Sequence, residues 1–280
     1  MTIVIASAQA TALATAGTSN NPIILWNNLA ESGTWSTNIG TEINSAAYAG
    51  TGTTFDQWSA TLSGSGFAAI VVDLGSAQDV SFVAIAAHNA ADIGATQVYC
   101  QHSATGLGGS WISPAAVATA SDNQAIGWYF TTVNARYWRI VIGTPTASQV
   151  ATIGVVFVGN PLTVEQRIYQ GYKPPITPTE VALQSNVSEG GHLLGSSMVK
   201  KASTASASFT HILPTTFRGA SWKAFQNHFN AGGGFFWAWR PTKYGDFYYA
   251  WRSGGALAPE NMGIKDYMSA TLEMRLYDEP

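Results

Sequence analysis

The stretch Phe67-Ala-Ala-Ile-Val-Val-Asp-Leu-Gly75, followed closely by Val80-Ser-Phe-Val-Ala-Ile-Ala-Ala87, decides the fold. Both runs are short, apolar and rich in β-branched and aromatic residues, with an Asp-Leu-Gly turn between them. They read as consecutive strands with no helical periodicity. Outward from here Gln97-Val-Tyr-Cys100, Gly127-Trp-Tyr-Phe130, Ala135-Arg-Tyr-Trp-Arg-Ile-Val-Ile142 and Ala151-Thr-Ile-Gly-Val-Val-Phe-Val158 repeat the pattern, punctuated by Gly, Asn, Ser and Asp. Short strands at such spacing predict two stacked antiparallel sheets in preference to a βαβ fold.

The prolines of Gly159-Asn-Pro161, Gly171-Tyr-Lys-Pro-Pro175 and Thr177-Pro178 interrupt this pattern, since Pro donates nothing to a ladder. They set a boundary near residue 160, giving an N-terminal arm or first strand over 1–20, a first module over 21–159 and a second over 160–280. In the second module Val181–Leu183 and Ala205–Ile212 alternate as strands, and Met268–Tyr277 does so as a closing strand. Trp222, Phe225 and Phe229 recur at helical spacing before Gly232-Gly-Gly234, which predicts one short amphipathic helix. Phe235-Phe-Trp-Ala-Trp239 and Phe247-Tyr-Tyr-Ala-Trp251 flank a polar tip, as in an aromatic-rich hairpin. The expected class is all-β: a sandwich, then a β-sandwich or barrel module with one short helix.

Composition narrows the function. Lys+Arg number 13 against Asp+Glu 16, a net charge of −3, which leaves no positive excess to neutralise a phosphate backbone. No apolar run approaches the roughly 20 residues that cross a bilayer. Charged residues are only 10% and hydrophobic ones 46%, so Ser, Thr, Asn, Gln and Gly must cover the surface, as in extracellular and virion β proteins. The first 16 residues lack the basic start of a secretory signal. A single cysteine, Cys100, excludes an internal disulfide framework and reads as a small apolar strand residue.

Asp73-Leu-Gly75 before Val80-Ser-Phe-Val-Ala-Ile85, together with Ala135-Arg-Tyr-Trp-Arg-Ile-Val-Ile142, resembles the strand motifs of the galactose-binding-like jelly roll of discoidin and coagulation-factor modules. Trp58 after Phe55-Asp56 and Trp111 after Gly108-Gly-Ser110 also fall where that family places a tryptophan. The resemblance covers about half of the chain and implies a jelly-roll sandwich over 21–159. In the second half, Gly171-Tyr-Lys-Pro-Pro175, Ser188-Glu-Gly-Gly-His-Leu-Leu-Gly195 and Gly232-Gly-Gly-Phe-Phe-Trp237 are similar in texture to minor tail proteins of long-tailed phages. That resemblance implies a hub or ring domain at a tail tip.

Chemistry is sparse. There is no His-Glu-x-x-His, no Gly-x-Ser-x-Gly, no phosphate loop and no Cys-x-x-Cys, so neither an enzyme nor a cofactor is expected. A glycosidase pair carries no local motif, and Glu165, Glu180, Glu189 and Asp246 are its candidates in the second module. The histidines His88, His102, His192, His211 and His228 stand singly, without metal-ligand spacing. Asp56 and Asp92 suit turns, and by resemblance could hold a structural calcium.

Sugar recognition needs planar polar groups for hydroxyls and an aromatic face for the C–H side of the ring. His88 and Asn89, at a strand's end, with Trp35 or Trp128 from loops, could supply these. The competing reading is that His88 and Asn89 cap the strand's backbone groups. In the hairpin, alternation would expose several of Trp237, Trp239, Tyr248, Tyr249 and Trp251 unless another chain covers them. The resulting expectation is a virion component of a phage tail tip, forming a homo-oligomeric ring with other tail proteins and displaying a jelly roll toward a host-surface glycan. The alternative is a secreted or cell-wall carbohydrate-binding protein.

Overall fold

The computed structural model describes residues 2–168, 171–175, 180–263 and 265–277; Thr177-Pro178 lies outside them. Strand β1 (Thr2–Ile5) leads into helix α1 (Ser7–Thr15), and β2 (Ile23–Leu25) follows. Then come β3 (Thr34–Ile39), β4 (Thr41–Asn44), a 3-10 turn (Ala46–Gly50), β5 (Trp58–Thr61), β6 (Phe67–His88), β7 (Gln97–Ser103), β8 (Ile126–Gly143) and β9 (Val150–Gly159). The second half holds β10 (Leu162–Thr163), β11 (Glu180–Val187), β12 (Leu193–Ile212), α2 (Pro214–Arg218), α3 (Ala220–Asn230), β13 (Phe235–Ala238), β14 (Tyr248–Arg252), β15 (Glu260–Asn261) and β16 (Met268–Leu276). The all-β class and the jelly-roll sandwich are as the sequence predicts.

The two decisive runs are one strand. β6 spans 22 residues and β8 spans 18, and both bend, so each serves both layers of the sandwich. Their register shifts between Asp73 and Gln78 and again between Val80 and Phe82. The Asp-Leu-Gly segment makes the first bend: Gly75 takes φ 79°, open to glycine, and its N–H donates to Asp73 Oδ1 at 2.8 Å. The first half of β6 pairs with β3 and the second half of β8, and β7 extends that layer. The second half of β6 pairs with β9 and the start of β8, on which β1 lies in parallel.

Alternation along β6 explains why its second run is apolar throughout. Val83 and Ile85 point into the sandwich with Trp58, Trp128 and Trp138, whereas Phe82, Ala84 and Ala86 point out into a second cluster. A strand covered on both faces has no position for a polar residue. Covering the outer face are Ile23 and Leu25 of β2, Phe236 and Ala238 of β13, Phe247, and Tyr249 of β14. Phe235 and Trp237 point the other way, under α3, whose Trp222, Phe225 and Phe229 close the second unit's own core.

Three expectations are corrected. The 21–159 grouping fails at its start, because β2 is a strand of the second sheet, between β10 and β13, so the chain crosses between the units before the sandwich is complete. The segment read as an arm or first strand does hold a first strand, β1, but continues into a helix: it is rich in alanine, the best helix former, and has no apolar stripe to announce a helix, with only Leu13 buried. Two helices stand in the second unit where one is expected, α2 being a single turn that starts on Pro214.

Candidate functional site

The residues expected to bind sugar are structural. Ala87 holds φ 53° at the end of β6, and His88 behind it is only 4% exposed. His88 Nε2–H donates to Gln124 O at 2.8 Å, while Nδ1 accepts from the Ala90 N–H at 3.3 Å, which fixes the tautomer. Burial pushes its pKa down to about 4. Asn89 Nδ2 donates to Val150 O and Oδ1 accepts from Thr152 N–H, clasping the start of β9. Trp128 has 0% exposure inside the sandwich, and Trp35 is half-buried with its Nε1–H on Ala30 O at 3.2 Å. These four are not gathered at a loop rim. His88 and Asn89 do what the competing reading gave them, satisfying backbone groups at a strand's end.

The hairpin aromatics are likewise held within the chain, which corrects the exposure argument for a covering subunit. Trp237 is fully buried and donates to Tyr172 Oη at 2.9 Å. Tyr248 O–H donates to Pro175 O, Tyr249 O–H to Gly52 O, and Trp239 Nε1–H to Asp246 Oδ2. Trp251 is half-buried against the cluster between the units. Elsewhere Glu165 accepts from the Thr216 hydroxyl and Glu189 stands exposed in the turn of the β11–β12 hairpin; the side chain of Glu180 lies outside the described residues. Among the described residues no group of three or more His, Cys, Asp or Glu stands close enough to hold a metal ion.

Where the two units meet, a cleft of about 270 Å³ opens. Each wall has a sequence cause. Trp26 continues β2, and its ring packs 6.2 Å from Phe225 and 5.5 Å from His228 of α3. At the end of α3, Gly232 turns with φ 87°, and a Cβ on Gly233 would fall on the His228 ring. The three glycines therefore let the backbone approach the imidazole, whose Nε2–H donates to Gly234 O at 2.8 Å. The opposite wall comes from the first unit, where the 3-10 turn delivers Thr51 and Thr53, their hydroxyls 2.9 Å apart, and exposed Glu31 borders the opening.

An indole face, a carboxylate, two hydroxyls and an imidazole on rigid elements form the combination that a sugar ring requires. The volume suits about one such ring. Sequence reading missed this site because Trp26 and Glu31, Thr51, and His228 lie on three separate segments with no local motif. The signal present was Gly232-Gly-Gly234, which ends a helix but also marks close backbone approach.

No protein-family model matches the chain, and no curated protein matches it in sequence. Solved structures do match part of it. Chitosan-binding module 1 of a chitosanase/glucanase from Paenibacillus sp. IK-5 is 24% identical, with a TM-score of 0.40 over 47% of this chain and 98% of that one. The CBM32-5 module of a Clostridium perfringens GH89 protein, in complex with GalNAc-β-1,3-galactose, is 11% identical, with a TM-score of 0.39 over 48% of this chain and 99% of that one. The lectin domain of lectinolysin, complexed with Lewis b antigen, is 16% identical, with a TM-score of 0.39 over 48% and 96%.

Proposed function

We propose that this chain is a non-catalytic glycan-binding protein whose recognition cleft lies between its two units. The observation that carries the reading is the joining of the Trp26 indole, held against α3, to Glu31 and the Thr51 and Thr53 hydroxyls across the same small cleft. On this view the second unit supplies half of the site. The reading agrees with the glycans bound to the solved modules without resting on them.

A glycan microarray on the purified chain, followed by calorimetry on the best neutral ligand, tests it. Trp26→Ala and Glu31→Gln are each expected to weaken binding at least about tenfold, which is about 1.4 kcal/mol. Absence of any neutral-glycan binding, or affinity unchanged in both variants, overturns the reading.

Tail assembly is a second reading, favoured by one observation. β12 pairs with β16 only from Ser203 onward, so Leu193 to Ala202 pairs with β11 alone and the hairpin runs beyond the sheet as a two-stranded ribbon. Val187, Leu193 and Leu194 on it are 58%, 66% and 69% exposed. A two-stranded ribbon is marginal by itself and gains from a partner. Light scattering decides the matter: a ring or tube supports a virion tail-tip role with other tail proteins, and a monomer at all concentrations counts against self-assembly.

A further inference from the structure

The strand motif Ala135-Arg-Tyr-Trp-Arg139 carries two arginines whose surroundings differ. Arg136 is neutralised: its Nε and Nη2 donate to the two oxygens of Asp73 at 2.7 and 2.8 Å. Arg139 is half-buried on the outer face of the sandwich, and its hydrogen-bond partners are neutral amides. Its Nε donates to Gln101 Oε1 at 2.8 Å and its Nη1 to Asn38 Oδ1 at 2.9 Å. The guanidinium carbon sits 4.3 Å from the centre of the Trp111 ring. Among the described residues no carboxylate forms an ion pair with it.

This arrangement holds the guanidinium plane from three sides. Gln101 stands directly across the ladder from Arg139 and is itself fixed by donating to Ser113 Oγ at 3.2 Å. Asn38 comes from β3 and Trp111 from the loop after β7. A partly desolvated cation without a counter-charge costs stability, and burial here does depress the Arg139 pKa. Two of the five guanidinium N–H groups are committed to amides that set orientation without supplying charge. The remaining edge is preorganised for a planar anion, the geometry in which arginine binds carboxylate bidentately.

We propose that Arg139, oriented by Asn38, Gln101 and Trp111, is the centre of an anion-binding site that takes the carboxylate of an acidic sugar. That the anion is carried by a sugar rests on the glycan-binding reading; that the site takes an anion does not.

The probes are D-glucuronate, D-glucose and inorganic sulfate, followed by calorimetry and by the amide NMR shifts of Asn38 and Gln101. Glucuronate is expected to bind and to shift both side-chain amides, with glucose at least tenfold weaker. Arg139→Gln is expected to lose glucuronate at least tenfold. Arg139→Lys, which keeps charge without the fork, should recover only part of it, and it carries the test if the glutamine variant fails to fold. Glucuronate that does not bind, or binds both variants as it binds the wild type, overturns the proposal. Sulfate binding as tightly as glucuronate overturns the sugar assignment and leaves a simple anion site. Neutral glycans that bind nowhere, with glucuronate still lost on Arg139→Gln, would sink the cleft reading and leave the anion site at Arg139 standing.

Discussion

Phe157 of β9 meets Phe236 of β13 edge-on, with ring centres 5.2 Å apart and planes at 77°. Phe157 belongs to the sandwich and Phe236 to the second sheet, so this contact joins the two units at the centre of their shared apolar face. Phe236 in turn stacks on Phe247 at 5.2 Å and 9°. The arrangement predicts one cooperative unfolding transition for the whole chain. Phe236→Ala should cost about 3–5 kcal/mol, as for other buried aromatics, and should lower the melting of both units together. A double-mutant cycle with Phe157→Ala should return a coupling of about 0.5–1.5 kcal/mol. Two separate calorimetric transitions in the wild type would refute this.

The same contact shows what the sequence could and could not disclose. Alternation along Phe235–Trp239 correctly says that Phe236 and Phe235 face opposite ways, and composition correctly says that an outward Phe236 needs a cover. Neither can say which surface provides it. The answer lies in β6 and β9, whose double-sided apolar runs were legible as strands but not as a docking face for Phe236, about 80 positions beyond β9 and about 150 beyond β6. β2 shows a stricter limit: Ile23-Ile-Leu25 is too short a run to announce a strand, and its sheet is chosen by pairing with Phe236–Ala238, more than 200 residues away. The candidate cleft was least legible, because juxtaposition rather than motif creates it.

His88 supplies a pH prediction. Its folded pKa of about 4 lies below the ordinary histidine value of 6.5, so between these values the unfolded chain takes up a proton that the native state refuses. The stability due to keeping His88 neutral is therefore complete above about pH 6.5 and is lost as pH falls toward 4. The loss is of order 3 kcal/mol at 1.36 kcal/mol per unit. His102 is displaced in the same direction by burial and adds to the effect. Urea titrations at pH 7 and pH 4.5 should show this drop, and His88→Gln should flatten it. Equal slopes with pH in wild type and variant would remove His88 as its source.

Gly127 tests the packing between the units without touching the candidate cleft. A Cβ there would stand 2.7 Å from Phe247 and 2.9 Å from Phe82, both rings being fixed in the shared cluster. Gly127→Ala should therefore destabilise by about 1–3 kcal/mol through overpacking. Gly75→Asn, at a positive φ with open space around it, should cost far less. Denaturation midpoints of the two variants settle the order, and a harmless Gly127→Ala would mean that Phe82 and Phe247 are free to move aside and that the units are not tightly packed there.

Gly234 links fold stability to the cleft itself. A methyl group there would fall on the Tyr249 hydroxyl, which is tethered to Gly52 O at 2.5 Å across the junction. Gly234→Ala must therefore displace either the glycine wall or the tyrosine. It should lower stability by about 1–3 kcal/mol and weaken glycan affinity as well, since both walls of the cleft hang on this contact. Tyr249→Phe removes the nearest atom and unties the ring from Gly52, at a cost of about 1 kcal/mol for the lost hydrogen bond. The double variant should accordingly be more stable than the two single losses would sum to, because a ring without its tether can move aside from the new methyl. Strict additivity in a denaturation cycle would show that Gly234 and Tyr249 are not in the contact described, and it would detach the shape of the cleft from the tyrosine.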